Sequence, residues 1–254
     1  MSTRVLVVAR ASFQEAVRSR LFLNLLAFYS VLLLGGAVVD AGSMGDAGRV
    51  FHDIAHAALS ISGSMVAIFV GIQLLATDIE RKTLHMVLAR PVTRLEVIAG
   101  KYLGLVAVLL LNLLGSTVLY LLVAAGGPFT APTLARVYSI LFLFFEFMLA
   151  GAFALMFASL ANTNSAAIYS VLLFVVGRLG RSMAELADRF PDSIYRGLSS
   201  GMMHALPDLT RFDLDAQLPM PPGSAMLGTG LYALLWSGAF LLLAALAFGQ
   251  RDLK

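Results

Sequence analysis

Six stretches of this chain are apolar over a length that matches a lipid bilayer. They are Leu21–Val39, Ala57–Thr77, Lys101–Ala124, Val137–Leu160, Ala166–Leu179 and Ala225–Phe248. A helix needs about 20 such residues to cross the ~30 Å hydrocarbon core. No water is available there, so each backbone N–H and C=O must be bonded inside the chain, and helices satisfy that demand. The expected fold is all-α: a polytopic membrane protein with six transmembrane helices in one domain, 1–254. The fifth stretch is short, and a broken or re-entrant continuation through Arg181–Ser200 could complete it. Hydrophobic residues make up 59% and charged residues 13%, where soluble domains carry about 25% charge. Mean hydropathy is +0.86. No internal repeat or separate soluble domain is evident.

The chain has no cysteine, which excludes disulfides, thiolate metal sites and cysteine nucleophiles. It has four histidines and one tryptophan, which narrows catalytic options further. The first apolar run follows an arginine-bearing helical segment, and Val39-Asp40-Ala41 makes a poor cleavage site. A retained signal anchor is therefore expected.

Orientation follows from Lys and Arg in the short connections. Arg4, Arg10, Arg18 and Arg20 precede the first span. Arg81, Lys82, Arg90, Arg94 and Lys101 lie between the second and third, and Arg251 and Lys254 end the chain. Six spans put all three groups on one side. The connection Asp40–His56 carries one Arg against three Asp. Both termini are expected in the cytoplasm, with the protein in the cytoplasmic (inner) membrane.

Residues 3–20 form an amphipathic helix. Val5, Leu6, Ala9, Phe13, Ala16 and Val17 share one face, and Arg4, Arg10, Gln14, Glu15 and Arg18 the other. Such a helix lies in the headgroup plane. It serves either as a plain topogenic anchor or as an elbow turning into the first span. The elbow is the expectation, since no Pro or Gly breaks the run into Leu21.

From Thr77 to Gly104 the chain reads TDIERKTLHMVLARPVTRLEVIAGKYLG. Charged residues give way to Leu84, Met86, Val87 and Leu88, and Pro91 stops the helix. A short helix with one apolar face and a charged rim suits a groove on a soluble partner. The plainer alternative is a loop resting on headgroups. Gly100-x-x-x-Gly104 then opens the third span and permits close helix approach.

Glu80-Arg81-Lys82-Thr83-Leu84, Leu88-Ala89-Arg90-Pro91-Val92-Thr93-Arg94 and Gly100-Lys101-Tyr102-Leu103-Gly104 together resemble the signature of ATP-binding-cassette (ABC) type-2 permeases. Phe248–Leu253 and Leu206–Leu214 are similar to that family's endings of the last span and of the segment before it. The resemblance extends over essentially the whole chain. It implies that residues 80–94 hold a cytoplasmic coupling helix touching an ABC ATPase subunit. Glu80, Arg81, Thr83, Leu84, Val87, Leu88, Arg90, Pro91 and Arg94 would carry that contact. It also suggests that the Gly-x-x-x-Gly lets the coupling helix fold against the third span. Two permease copies, or this chain and a homologous one, would enclose the path.

The chain itself has no phosphate-binding loop. Its one Gly-Lys, Gly100-Lys101, has Leu95 where the upstream Gly belongs, and Tyr102 follows. No cofactor is expected in this chain; ATP and Mg would sit in the partner ATPase. Lipid surrounds it, no nucleic acid is expected as a partner, and an extracytoplasmic accessory protein is left open.

Glu146 lies about ten residues into the fourth span. A carboxyl at that depth is costly and marks a functional position by default. Asn112, near the middle of the third span, is the expected hydrogen-bond partner. Both are candidates for the translocation path, or for interhelical glue. Gln73 reads as packing. Arg178 and Arg181 end the fifth span and are expected to snorkel to the outer interface. His52 and His56 share a helix face at i, i+4. Without a close third ligand they read as interface histidines rather than a metal site, so no metal is expected.

The expected function is the permease subunit of an ATP-driven exporter, with no catalytic residue of its own. Two other classes compete with it. A secondary carrier or membrane scaffold would have no ATPase. An intramembrane enzyme would need a nucleophile and base at one depth, and Ser62 and Ser64 have no intramembrane His beside them.

Overall fold

The computed structural model describes residues 2–42, 48–80, 93–127, 134–180, 189, 206–213 and 223–250. Among them the regular elements are helices: α1 (Ser2–Val17), α2 (Arg20–Ala41), α3 (Arg49–Glu80), α4 (Arg94–Gly126), α5 (Leu134–Leu160), α6 (Thr163–Arg178) and α7 (Gly223–Gln250). A 3-10 turn at Leu209–Phe212 precedes α7. Five helices, α2, α3, α4, α5 and α7, are long and apolar enough to cross a membrane. The fifth expected span is α6, whose 16 residues reach about 24 Å. Six full-length spans are therefore not what the described residues show.

Burial separates core from periphery. The apolar windows of α3 and α5 are 78% and 72% buried, against 22%, 33% and 28% in α2, α4 and α7. The outer three present Leu34, Val38, Leu110, Leu114, Leu235 and Leu246 outward, as helices in contact with lipid do. Small residues let the central pair meet. A Cβ at Gly63 of α3 would overlap the Phe147 ring of α5, and one at Gly71 would lie 3.4 Å from Ala154 Cβ. Phe147 is fully buried there.

The first two helices are joined at a break. Ser19 is extended, and its side chain accepts a hydrogen bond from the Phe22 N–H at 3.1 Å, capping α2. The uninterrupted run into Leu21 expected from the lack of Pro and Gly is thus replaced by a serine cap. Serine accepts the orphan N–H of a new helix as readily as glycine ends an old one.

α1 packs on the start of α4. A Cβ at Gly100 would meet Val8 at 2.7 Å, and one at Gly104 would meet the Ala9 carbonyl at 2.6 Å. The Gly-x-x-x-Gly therefore seats the N-terminal helix; the coupling helix expected against it lies largely outside the described residues. Leu6 and Val7 point away from this seat and are exposed.

α2 and α3 are joined by a carboxylate. Asp40 near the end of α2 accepts from the N–H of Gly48, at 3.1 and 3.0 Å, and of Phe51 at 3.1 Å. An anion at a helix N-terminus satisfies orphan donors and the helix dipole together. Gly48 adopts φ 91°, the left-handed region that glycine enters without strain.

Candidate functional site

The side-chain chemistry of the interior gathers where α3, α5 and α6 meet. Glu146 is the thirteenth of the 27 residues of α5 and has no solvent exposure. Arg178 is the last residue of α6. Because α6 is short, its end faces the middle of α5 and not the end of the bundle. Arg178 Nε donates to Glu146 Oε1 at 3.0 Å, and Nη2 donates to Oε2 at 3.0 Å. This two-pronged arrangement is the strong geometry for a guanidinium and a carboxylate.

Ser60 of α3 completes the floor. Its hydroxyl donates to Glu146 Oε2 at 3.4 Å and accepts from Arg178 Nη2. Gly63, one turn away, allows the close approach of α3 and α5 that puts Ser60 within reach. The third prong of Arg178, Nη1, donates to Asp213 Oδ2 at 3.1 Å. Asp213 follows the 3-10 turn, whose Leu209 and Phe212 are fully buried. On the far side of Asp213, Oδ1 lies 3.9 Å from His56 Nδ1 of α3.

One cation is thus shared between two carboxylates. Taking a carboxylate out of water is expensive, and the site repays this only through complete hydrogen bonding. Glu146 has three side-chain contacts, and Arg178 uses all three of its nitrogens. Such a network fixes the relative positions of three helices. It can also exchange partners if one element moves, because Arg178 already spans two acceptors.

Glu146 was legible as a buried position inside the bundle; its partners were not. Asn112 is buried on α4, yet its Oδ1 has no hydrogen-bond partner among the described residues, and Glu146 is served by Arg178 and Ser60 instead. The expected Asn112–Glu146 bond is therefore corrected. So is the snorkelling of Arg178: its guanidinium turns inward to the carboxylates. Ser60 and Asp213 were missed, and His56 was read as an interface histidine without its Asp213 neighbour. A basic residue after only 15 helical residues was the available signal, because a helix that short leaves its end inside the bundle.

The two histidines have separate partners. His52 Nδ1 and the Tyr120 hydroxyl are 2.7 Å apart, and Phe51 stacks on the Tyr120 ring with centroids 5.9 Å apart. His56 turns to Asp213. Asp53 pairs with Arg136 at 3.1 Å. Among the described residues no three metal-ligating side chains converge.

Of the residues expected to contact an ATPase, Arg81, Thr83, Leu84, Val87, Leu88, Arg90 and Pro91 lie outside the described residues. Glu80 and Arg94 are described as the backbone ends of α3 and α4. The start of α4 is set by a capping box. The Thr93 N–H donates to Glu96 Oε2 at 2.8 Å, and the Glu96 N–H donates to Thr93 Oγ1 at 3.3 Å. A few residues on, Lys101 is buried and donates to the Leu74 carbonyl, tying α4 to α3. The two helices that flank residues 81–92 are thus bonded to each other, about two turns in from the ends that face that segment.

The all-helical bundle with bilayer-length apolar helices defines a multi-pass membrane protein. The chain belongs to the ABC-2 family transporter proteins, whose family model matches residues 6–253. It is a membrane permease component of an ABC transporter. Among curated proteins, none matches the chain.

Proposed function

We propose that this chain is the permease subunit of an ATP-driven exporter, moved by ATP hydrolysis in separate ATPase chains. The match over residues 6–253 is the observation that carries this reading. The segment 80–94 is the ATPase contact. In the sequence its apolar residues Leu84, Val87 and Leu88 are flanked by Arg81, Lys82, Arg90 and Arg94, and α3 and α4, tied by Lys101 and the Leu74 carbonyl, would pass a push on it into the bundle. Two copies, or this chain and a homologous one, enclose the path in the cytoplasmic membrane, with both termini in the cytoplasm and α1 as the elbow at the headgroups. ATP and Mg belong to the ATPase chains.

Glu146 supports the route through the bundle. It is a carboxylate held at mid-helix by the Arg178 guanidinium, where α3, α5 and α6 meet. Affinity purification in mild detergent tests the reading. The expected result is a co-eluting ATPase chain, and a reconstituted complex whose ATP-dependent transport survives Glu146→Gln and is lost in Glu146→Leu. A protein that transports without any ATPase chain would contradict it.

A further inference from the structure

α1 has three sides, and one of them is filled by α4. Val5, Val8, Ala9 and Ser12 occupy the seat made by Gly100 and Gly104, and Ser12 and Ala16 are buried. A helix turns about 100° per residue, so Leu6, Phe13 and Val17 fall within about 40° of one another on one flank of that seat. Arg10 lies about 40° beyond Leu6, toward the open side. Glu15, the one acidic residue of α1, is on the opposite flank, with Arg4 and Arg18 near it. The apolar flank and the open side beside it are not covered. Leu6 and Val7 are 62% and 66% exposed, and Phe13 and Val17 are only half-buried against the core.

The level of α1 follows from its seat. Arg94, Glu96 and Lys101 are the charged residues at the start of α4, and from Tyr102 to Gly126 the helix carries none. Gly100 and Gly104 bracket Lys101, so α1 sits where α4 passes from water into hydrocarbon. The other end of α1 gives the same level. The Ser19 cap turns the chain directly into α2, whose apolar run begins at Leu21. An uncovered apolar flank at that depth meets acyl chains.

The charge at this level has one sign. Residues 2–20 hold four arginines and one glutamate. Arg4 faces the Glu96 carboxylate at the start of α4. Arg10, Arg18 and Arg20 are exposed, and among the described residues none of these three is paired with a carboxylate. An arginine stem lies along apolar surface while its head reaches outward, and a guanidinium matches the oxygens of a phosphate. A zwitterionic headgroup offers that phosphate together with an ammonium that cancels its charge. Unpaired guanidiniums on one short stretch therefore favour lipids whose headgroup is net negative.

We propose that the uncovered face of α1 is a docking surface for anionic phospholipid, with Leu6, Phe13 and Val17 against the acyl chains and Arg10, Arg18 and Arg20 on the phosphates. This rests on the placement of α1 at the headgroups and not on the ATPase, so its failure would leave the exporter reading standing.

The cysteine-free sequence allows a single probe. Leu6→Cys is labelled with a bimane fluorophore in the full chain, which is placed in nanodiscs holding equal fractions of phosphatidylcholine and phosphatidylglycerol. In one preparation the phosphatidylcholine is brominated, in the other the phosphatidylglycerol. Bromine quenches at contact range, so the ratio of the two quenching constants reports which lipid lies against α1. The surface predicts stronger quenching by brominated phosphatidylglycerol, with a preference of about fivefold for each arginine that engages a headgroup. Adding Arg10→Gln should lower the preference by about that factor. Adding Arg18→Gln and Arg20→Gln as well should bring the ratio to unity. Equal quenching by the two lipids in the labelled chain with all its arginines would overturn the proposal, as would a preference that survives in the triple variant. A probe that neither lipid quenches would turn this face toward water and a soluble partner, and would overturn it too.

Discussion

Removing Arg178 would leave the Glu146 carboxylate with only the Ser60 hydroxyl in a site closed to solvent. Breaking a buried pair from one side typically costs about 3–5 kcal/mol, while replacing both partners with apolar residues of similar size is often close to neutral. Arg178→Ala should therefore lower the stability of the purified permease by about that amount. Glu146→Leu combined with Arg178→Leu should recover most of it. Thermal unfolding in detergent of the two single variants and the double variant gives the coupling directly. Additive losses would show that the pair does not act as a unit. Gly63→Ala belongs at the same scale. Its new methyl would collide with the Phe147 ring, so a loss of about 1–3 kcal/mol is expected from overpacking. At this scale Glu146 was legible because a carboxylate in an apolar run has one physical meaning: it must be satisfied inside. Which residue satisfies it depends on where α6 ends in space, and apolar composition alone does not report that. Arg178 read as an interface residue because an apolar run stopped there.

At the scale of elements, the clearest device is the seat of α1 on α4. Gly100 and Gly104 form one smooth stripe, and Val8, Ala9, Ser12 and Phe13 fill it. Gly104→Leu would push the helices apart by a side chain's width. It should free α1 while α2 to α7 stay inserted, read as faster trypsin cleavage after Arg10 and Arg18 in otherwise intact protein. Unchanged cleavage would mean that α1 is held by something else. The glycine spacing was legible as a close helix contact, but spacing names no partner, and the partner proved to be the N-terminal helix. The α1–α2 break was hidden for a related reason. Ser19 ends one helix by starting the next, and a cap of that kind looks like any other serine until its acceptor geometry is known. The amphipathic pattern of residues 3–20 held over most of its length, but Leu6 and Val7 are turned away from the protein.

At the scale of the whole molecule, the all-helical architecture was legible because the bilayer leaves few choices to apolar runs of this length. The number of full spans was not, since a 16-residue helix is apolar enough to resemble a span and too short to be one unaided. The structure places two well-buried helices at the centre, three lipid-length helices around them, and a half-length helix whose end is covered by the segment 206–213. The membership shown by residues 6–253 makes this a transporter component, and the proposed coupling makes it a driven one. Affinity capture of the partner ATPase by purified permease tests that claim most directly, comparing the parent chain with a Leu84→Asp, Leu88→Asp variant. The account predicts that the parent retains the ATPase and the variant releases it while remaining inserted and folded. An ATPase that stays bound to the variant with full transport would contradict it.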